Sequence, residues 1–169
     1  MRELGLASGP IERVVADVAV VPLFASERPL RDAAGRVDWR LCGRLSHLFA
    51  AARLDGIAGE AVLIPGGGGL RAPRVLGLGL GLREELDGVR WQQWIADALL
   101  RAGALAARHA VIALPESGPA LAGRLDALAA CADREPSPEV VSLAPEPGDL
   151  DAAGEWLRAA VRRGRPAGL

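Results

Sequence analysis

The second half of the sequence alternates apolar strand patterns with amphipathic helix patterns, and this order constrains the fold more than any other feature. Strand patterns at 73–80, 110–115 and 139–144 are each followed by a helix pattern. Parallel strands joined by helical crossovers accommodate such an order, with the helices packed on the sheet. The sequence therefore predicts an α/β domain whose mostly parallel sheet carries helices on both faces.

Three further strand patterns precede this alternation, at 2–7, 17–23 and 60–65. We expect them to add strands at one edge, some of them antiparallel, which gives a mixed, mostly parallel sheet of about six strands between helices. The 169 residues contain no internal repeat and suit one domain. A single domain is therefore predicted over 1–169, with a frayed tail over 161–169.

Polar residues just before apolar helical stripes predict where the helices begin. Side chains of this type accept hydrogen bonds from the first free backbone N–H groups of a helix. The predicted N-caps are Asp38, Asp87, Ser117 and Asp149. The segment 25–36, which contains proline and arginine, is predicted to be a loop.

Two glycine-rich stretches raise the question of a phosphate-binding loop. They read IPGGGG at 64–69 and GLGLGL at 77–82. Neither continues with the glycine spacing of a dinucleotide-binding turn, and the absence of lysine excludes a Walker-type loop. The first lies between two predicted strands, and carboxylates separate the second from its helix. We interpret the first as a turn, and Gly77 and Gly79 as positions that let a helix pack closely.

The composition excludes several classes of function. The formal net charge is -1, so the chain has no bulk attraction to nucleic acid or membranes. All its basic residues except two histidines are arginine, and lysine, asparagine, threonine and tyrosine are missing. No apolar run approaches the roughly 20 residues that span a bilayer, and the N-terminus lacks a signal-peptide core. We expect a cytoplasmic protein without a membrane segment and without a cofactor.

Residue types that often carry catalysis lack suitable partners in the sequence. Cys42 and Cys131 lie among apolar residues in predicted helices and are expected to be buried free thiols. His47 and His109 have no second ligand at metal-binding spacing. None of the six serines lies in a Gly-x-Ser-x-Gly turn. The sequence thus predicts no catalytic residue and no metal site.

Basic side chains gather in two places. One is an expected exposed helical stripe and the other is the last helix, the residues concerned being Arg40, Arg44, His47, Arg158 and Arg162. A site for an anion or for DNA is one interpretation of these residues. A solvated helix face and stabilisation of the last helical turn explain them more simply. Nucleic acid is therefore not the expected partner.

The run from Asp17 to Asp87 resembles the N-terminal domain of the leucyl (cytosol) aminopeptidase family. The matching pieces are ADVAVVPLF and DGIAGEAVLIPGGGGLRAPRVLGLGLGLREELD, followed by the helix that contains Trp91. Gly56, Gly59, Glu60, Gly79 and Gly81 fall on the family pattern, and the resemblance weakens after about residue 116. It implies a three-layer, macro-domain-like α/β fold.

In that family a larger catalytic domain follows, and it holds two metal ions through lysine, aspartate and glutamate ligands. Stretches such as Asn-Thr-Asp-Ala-Glu-Gly-Arg cannot occur in these 169 residues, which contain no Lys, Asn or Thr. The resemblance thus implies a stand-alone relative without aminopeptidase activity. We expect a non-catalytic interaction, assembly or regulatory module that forms a homo-oligomer or binds a protein partner, such as a peptidase subunit. Trp39 is the tryptophan expected to reach the surface.

The macro-domain likeness suggests an alternative, because true macrodomains bind ADP-ribose. The aspartate that accepts from the adenine amino group in macrodomains is replaced by Pro10, and their asparagine-rich loop is replaced by Pro22-Leu23-Phe24. An ADP-ribose or nucleotide ligand would contact loops at the carboxyl edge of the sheet. The residues expected there are Pro22, Leu23, Phe24, Gly79, Gly81, Pro115 and Ser117. A DNA-binding regulator is a further alternative.

Overall fold

The computed structural model describes residues 3–134 and 136–163. Within these ranges the strands are β1 (Glu3–Leu6), β2 (Val18–Phe24), β3 (Ala61–Pro65), β4 (Arg74–Gly81), β5 (His109–Leu114) and β6 (Val140–Pro145). The helices are α1 (Asp32–Arg40), α2 (Arg44–Ala50), α3 (Gly88–Ala104), α4 (Leu121–Ala132) and α5 (Leu150–Arg162). The α/β class and the number of strands agree with the prediction.

The six strands form one mixed sheet in the order β1-β6-β5-β2-β4-β3. Only the edge pair β3–β4 is antiparallel; the other four pairs are parallel. The expectation that the first three strands extend one edge was wrong. β1 lies at the edge opposite β3, and β2 lies in the middle between β5 and β4. All seven residues of β2 are buried, which suits a strand covered on both faces.

Helices cover both faces of the sheet, as predicted, and give three layers. One apolar core lies under α1 and α2, and we call it the α1–α2 core; the other lies under α3, α4 and α5 and is the α3–α5 core. Val18 and Val20 of β2 point into the α3–α5 core, whereas Ala19 and Val21 point into the α1–α2 core. The alternation of side chains along β2 thus joins the two cores through the sheet.

The predicted loop over 25–36 extends only to Arg31, because α1 already begins at Asp32. Asp38 lies inside α1 with 7% of its surface exposed, and its carboxylate reaches across a turn to α2. There it accepts hydrogen bonds from the backbone N–H of Leu45 at 2.7 Å and of Ser46 at 3.2 Å. Asp38 therefore caps α2, which begins at Arg44, rather than a helix that begins directly after Asp38.

The other predicted caps differ in outcome. Asp87 caps α3, since its carboxylate accepts from the backbone N–H of Arg90 at 2.8 Å. Ser117 does not cap α4, which begins at Leu121 without a side-chain cap. Asp149 occupies the cap position of α5 but makes no capping hydrogen bond. Its carboxylate instead accepts a hydrogen bond from the guanidinium of Arg124.

The thiols and the last helix also differ in part from expectation. Cys131 is buried in α4, but Cys42 is exposed in the turn between α1 and α2, with a φ of 55°. α1 ends at Arg40 and α2 begins at Arg44, so Cys42 lies in the turn between them. The apolar residues keep a helical spacing through this turn, and the sequence therefore predicted one continuous helix. Val161 is 46% exposed and lies outside the core. Val161 and Arg162 end α5, and residues 164–169 of the predicted tail lie outside the described residues.

The glycine-rich stretches have structural roles. Gly66–Gly69 join β3 to β4 as a turn, as predicted, with Gly67 at a φ of 60°. A Cβ on Gly77 would meet Leu23 Cδ1 at 2.7 Å. A Cβ on Gly79 would lie 1.8 Å from the carbonyl oxygen of Ile57. The prediction that a helix packs on these glycines was therefore wrong: a side chain of β2 and a loop backbone approach them instead.

Candidate ligand site at the carboxyl edge of the sheet

The carboxyl ends of five strands meet at one edge of the sheet, because β1, β2, β4, β5 and β6 run parallel. Open α/β sheets bind ligands in crevices at this edge. The residues that follow β2, β4 and β5 come together here, as the sequence predicted. A side chain that the sequence analysis did not single out lies between them.

Arg83, two residues after β4, fills the crevice between the loops that follow β2 and β5. Its guanidinium lies 2.7 Å from Glu27 Oε1 and 3.0 Å from Asp32 Oδ2, and it donates to Ser117 Oγ at 2.7 Å. The same group stacks over the ring of Phe24, 4.0 Å from its centroid. Arg83 is thus held by two carboxylates, a hydroxyl and an aromatic face.

Little space remains around Arg83. A cavity of about 10 Å³ is left there, lined by residues that include Pro22, Phe24, Pro115 and Glu146. That volume holds about one water molecule. In this conformation the crevice cannot contain a nucleotide.

The arginines around this edge are neutralised within the chain. Arg36 donates from both terminal nitrogens to Glu146, at 2.8 and 3.1 Å, and this bidentate bond raises the pKa of the Arg36 guanidinium. Arg124 donates to Asp149 at 3.2 Å. Burial lowers the pKa of the Arg124 guanidinium, and Asp149 opposes that effect. Neither these arginines nor Arg83 offers an unpaired guanidinium to a diphosphate.

The predicted ligand-contacting residues divide into two groups. Pro22, Phe24, Pro115 and Ser117 lie around Arg83. The other three lie away from it: Leu23 points into the α1–α2 core, Gly79 borders a separate cavity of about 380 Å³ beside α3, and Gly81 lies against Arg90. Leu23 and Phe24 point to opposite faces of the sheet, because side chains alternate along β2.

The predicted basic residues are exposed, but they do not form one surface. Arg40 ends α1, whereas Arg44 and His47 lie in α2, so the single helical stripe expected for them does not exist. Arg158 and Arg162 lie on α5, across the sheet from α1 and α2.

Metal binding and membrane insertion have no support in the described ranges. Within residues 3–134 and 136–163, no group of three His, Cys, Asp or Glu side chains is arranged to hold a metal ion. In the same part of the chain, no helix is both long and apolar enough to cross a bilayer.

Arg83, Glu27 and Asp32 were not predicted from the sequence, although a signal for them was present. Glu27 and Asp32 follow β2, and Arg83 follows β4, so the three lie next to strand ends that meet in the fold. Opposite charges placed after neighbouring parallel strands are candidates for an ion pair. The predicted loop over 25–36 obscured this, because Asp32 was not placed at a helix start.

Comparisons of the sequence with known proteins identify one family. A sequence model of the cytosol aminopeptidase family, N-terminal domain, matches residues 20–134. The probable cytosol aminopeptidase of Halorhodospira halophila (strain DSM 244 / SL1) is 33% identical over 114 residues. These residues are 68% of this chain and 23% of that protein. The match therefore spans less than a quarter of the relative's length.

Solved structures with a similar backbone include members of two groups. A tomato leucine aminopeptidase mutant gives a TM-score of 0.62 at 12% identity, over 95% of this chain and 36% of that one. A Trypanosoma brucei macrodomain in complex with ADP-ribose gives 0.71 at 16% identity, over 94% of this chain and 69% of that one. At such identities the likeness shows the fold alone.

The resemblance drawn from the sequence between Asp17 and Asp87 is thus confirmed, and the family match extends it to Arg134. The three-layer fold and its mixed sheet also agree with macrodomain structures. The chain therefore belongs to the cytosol aminopeptidase family, through that family's N-terminal domain, and it has a macro-domain-like α/β fold.

Proposed function

We propose that this domain is a non-catalytic interaction or regulatory module and that its macro-type crevice does not take ADP-ribose. The observation that carries the proposal is the position of Arg83, which leaves about 10 Å³ between the loops after β2 and β5. The alternative, an ADP-ribose or nucleotide binder, draws on the macrodomain likeness. It would require Arg83 to leave two carboxylates, a hydroxyl and the Phe24 ring.

Charge also argues against a diphosphate ligand. If Arg83 swung out, Glu27 and Asp32 would remain in the crevice without their counterion. Like charges in a confined site repel, so these carboxylates would oppose the phosphates. A nucleotide would thus have to disrupt an ion-pair network and then bind beside the carboxylates that it exposes.

An exposed tryptophan supports a role in protein contact. Trp39, at the end of α1, is 84% exposed and borders an apolar groove of about 540 Å³ with Leu30 and Cys42. Tryptophan at such a position is typical of interface residues that contribute most to binding. We propose that the partner is a second copy of this chain or a cytosol aminopeptidase subunit.

Calorimetry with ADP-ribose tests the first part of the proposal. We expect no heat of binding at millimolar ligand for the wild type. The Arg83→Ala variant enlarges the crevice but keeps both carboxylates, so we expect no binding there either. Saturable wild-type heat that is lost on mutation of Phe24 or Ser117 would instead establish the alternative.

Light scattering tests the second part, with the chain alone and mixed with a full-length cytosol aminopeptidase. We expect association in at least one of these samples, weakened about tenfold or more by Trp39→Ala. Leu100→Ala is the control, because Leu100 is 49% exposed on α3, across the sheet from Trp39. A strict monomer that forms no complex would contradict the proposal.

A further inference from the structure

Exposed charges of opposite sign are segregated to opposite edges of the sheet. The amino edge is the one at which β2 and β4 begin, and residues 10–17, 36–46 and 66–74 pack near it on the α1–α2 core. In these three segments every exposed charged side chain is basic: Arg13, Arg40, Arg44 and Arg71. We call these four residues the basic surface.

The segments that carry the basic surface contact one another. The turn at Gly69 lies against the end of α1, where a Cβ on Gly69 would overlap the carbonyl oxygen of Arg40. The backbone N–H of Arg71 donates to the carbonyl of Glu12 at 3.3 Å, so the segment of Arg71 adjoins that of Arg13. Arg44 begins α2 directly after the turn that follows Arg40. The four arginines therefore occupy adjoining parts of one surface.

The four arginines of the basic surface are not neutralised by the part of the chain that the structure describes. Their side chains form no ion pair with it, whereas Arg36 and Arg83 each pair with carboxylates. Trp39, which is 84% exposed, directly precedes Arg40. Arginine and exposed aromatic side chains are enriched in protein interfaces, and uncompensated cations select a partner of opposite charge.

The carboxyl edge has the opposite sign on the side of the α3–α5 core. In residues 82–90, 115–123 and 146–153, which follow β4, β5 and β6, every exposed charged side chain is acidic: Glu84, Glu85, Asp87, Glu116 and Asp151. We call these five residues the acidic surface. Its segments adjoin, because Gly118 lies against the Leu86 side chain and the carboxylate of Glu116 lies near Gly148. Val89, 64% exposed, adds an apolar contact beside them.

We infer that the basic surface of one copy of this chain binds the acidic surface of a second copy. The formal net charge of -1 means that each copy carries both signs in near balance, so one copy can neutralise another. This inference rests on the proposed function, because it names the partner of the surface that contains Trp39.

The position of the two surfaces determines the kind of assembly. They lie at opposite edges and on opposite sides of the sheet, so they cannot meet within one chain, and two copies cannot form both contacts at once. The contact is therefore heterologous, and further copies add in the same direction until a ring closes or a chain grows.

Sedimentation of the chain alone at increasing salt tests the inference. Raising NaCl from about 0.1 to about 1 M shortens the Debye length from about 10 to about 3 Å, so the self-association constant should fall about tenfold or more. At low salt the mass should rise beyond that of a dimer. Self-association that is independent of salt, or that stops at a dimer, would overturn this inference and leave the proposed function intact.

Charge reversal locates the contact and controls for folding. Arg40→Glu with Arg44→Glu should weaken self-association about tenfold or more, and so should Glu84→Arg with Asp151→Arg. An equimolar mixture of the two double variants should associate again, because one contributes an unaltered acidic surface and the other an unaltered basic surface. Restored association also shows that both variants are folded. A mixture that stays dissociated would refute the pairing of these surfaces.

A control variant and two other partners complete the test. Arg134→Glu reverses an exposed charge outside both surfaces and should not weaken self-association. A wild type that binds a cytosol aminopeptidase but not itself would overturn the inference alone, whereas a wild type that binds neither would overturn the proposed function as well. DNA binding that is lost in the Arg40→Glu, Arg44→Glu variant while self-association is unchanged would assign the basic surface to nucleic acid and also overturn the inference.

Discussion

At the scale of single residues, Arg124 is a buried cation with incomplete pairing. It is 2% exposed, and its Nε and Nη1 atoms lack hydrogen-bond partners among the described residues. Its Nη2 atom donates to Asp149, which is itself partly exposed. A buried ion pair of this kind adds little net stability, but the loss of one partner leaves an unpaired charge in the interior.

We therefore expect the removal of Asp149 and the removal of Arg124 to have different effects on the free energy of unfolding. Asp149→Ala should lower the free energy of unfolding by about 3 kcal/mol, because it leaves Arg124 unpaired. Arg124→Leu should remain within about 1 kcal/mol of the wild type or be more stable, because it removes the charge. Urea unfolding measures both. In the Arg124→Leu background, Asp149→Ala should lower the free energy of unfolding only slightly. A further loss of about 3 kcal/mol there would contradict the claim that Asp149 stabilises the fold by pairing with Arg124.

Asp17, just before β2, makes the stability depend on pH. Its carboxylate accepts from the backbone N–H of His109 at 3.0 Å and of Arg108 at 2.8 Å. The bond from His109, aided by Arg108, holds the pKa of the Asp17 carboxyl below its ordinary value, against an opposing effect of burial. A lowered pKa in the folded state means that the carboxylate stabilises the fold only while it is ionised.

The contribution of the Asp17 carboxylate to the free energy of unfolding should be complete above its pKa in the unfolded chain, about 3.9. It should disappear as the pH falls through the lower pKa of the folded state. Thermal unfolding of the wild type and of Asp17→Asn, measured from neutral pH downwards, checks this. We expect the difference between their midpoints to be constant near neutrality and to shrink in acid. Parallel curves throughout the acid range would show that the charge is not what matters.

At the scale of elements, one loop packs directly against a strand of the sheet. The loop that contains Gly56 and Ile57 lies on β4 at Gly79. The backbone N–H of Gly79 also donates to the carbonyl of Glu60 at 2.8 Å, and that of Gly81 donates to Gly56 at 2.9 Å. This loop is therefore held to β4 by backbone hydrogen bonds that require close approach.

A matched pair of glycine substitutions tests this packing. Gly79→Ala should destabilise the fold by about 3 kcal/mol, because the new Cβ meets the carbonyl oxygen of Ile57. Gly123→Ala should stabilise it by about 0.5–1 kcal/mol, because Gly123 lies in α4 with no atom near the added Cβ. Denaturant titration compares them. A neutral Gly79→Ala would indicate that the loop can move away from β4.

At the scale of the whole molecule, the sheet joins the two cores into one unit. Side chains of β2 enter both cores in alternation, so neither core can lose its packing while the sheet persists. The stacked pair Trp91 and Trp94 lies in the α3–α5 core, with ring centroids 5.1 Å apart. Trp156 packs against the same core, so in a Trp39→Phe background tryptophan fluorescence reports on the α3–α5 core.

Truncation of a side chain in the opposite core should therefore be detected by these tryptophans. Leu45→Ala in α2 removes a fully buried side chain from the α1–α2 core and should cost about 2–5 kcal/mol. Circular dichroism and tryptophan fluorescence should report the same lowered midpoint. Two separate transitions, or an unchanged fluorescence midpoint, would show that the cores unfold independently.

The sequence alone determined the class of fold, because hydrophobic periodicity reports local structure directly. The six strands, the capping of α3 by Asp87 and the family could all be read from residues near each other in the chain. The cap of α2 could not, since Asp38 acts across a turn, and neither could the central place of β2. The pairing of strands depends on contacts between distant segments, which no local pattern records.

Only the tertiary structure decided what the carboxyl edge contains. Arg83 meets Glu27 and Ser117 across 56 and 34 positions of sequence, and Arg36 meets Glu146 across 110. Composition shows that these charges balance, but not which of them neutralise one another. Local sequence thus determines which elements form, whereas the chemistry of the edge depends on which side chains the folded chain brings within a few ångströms.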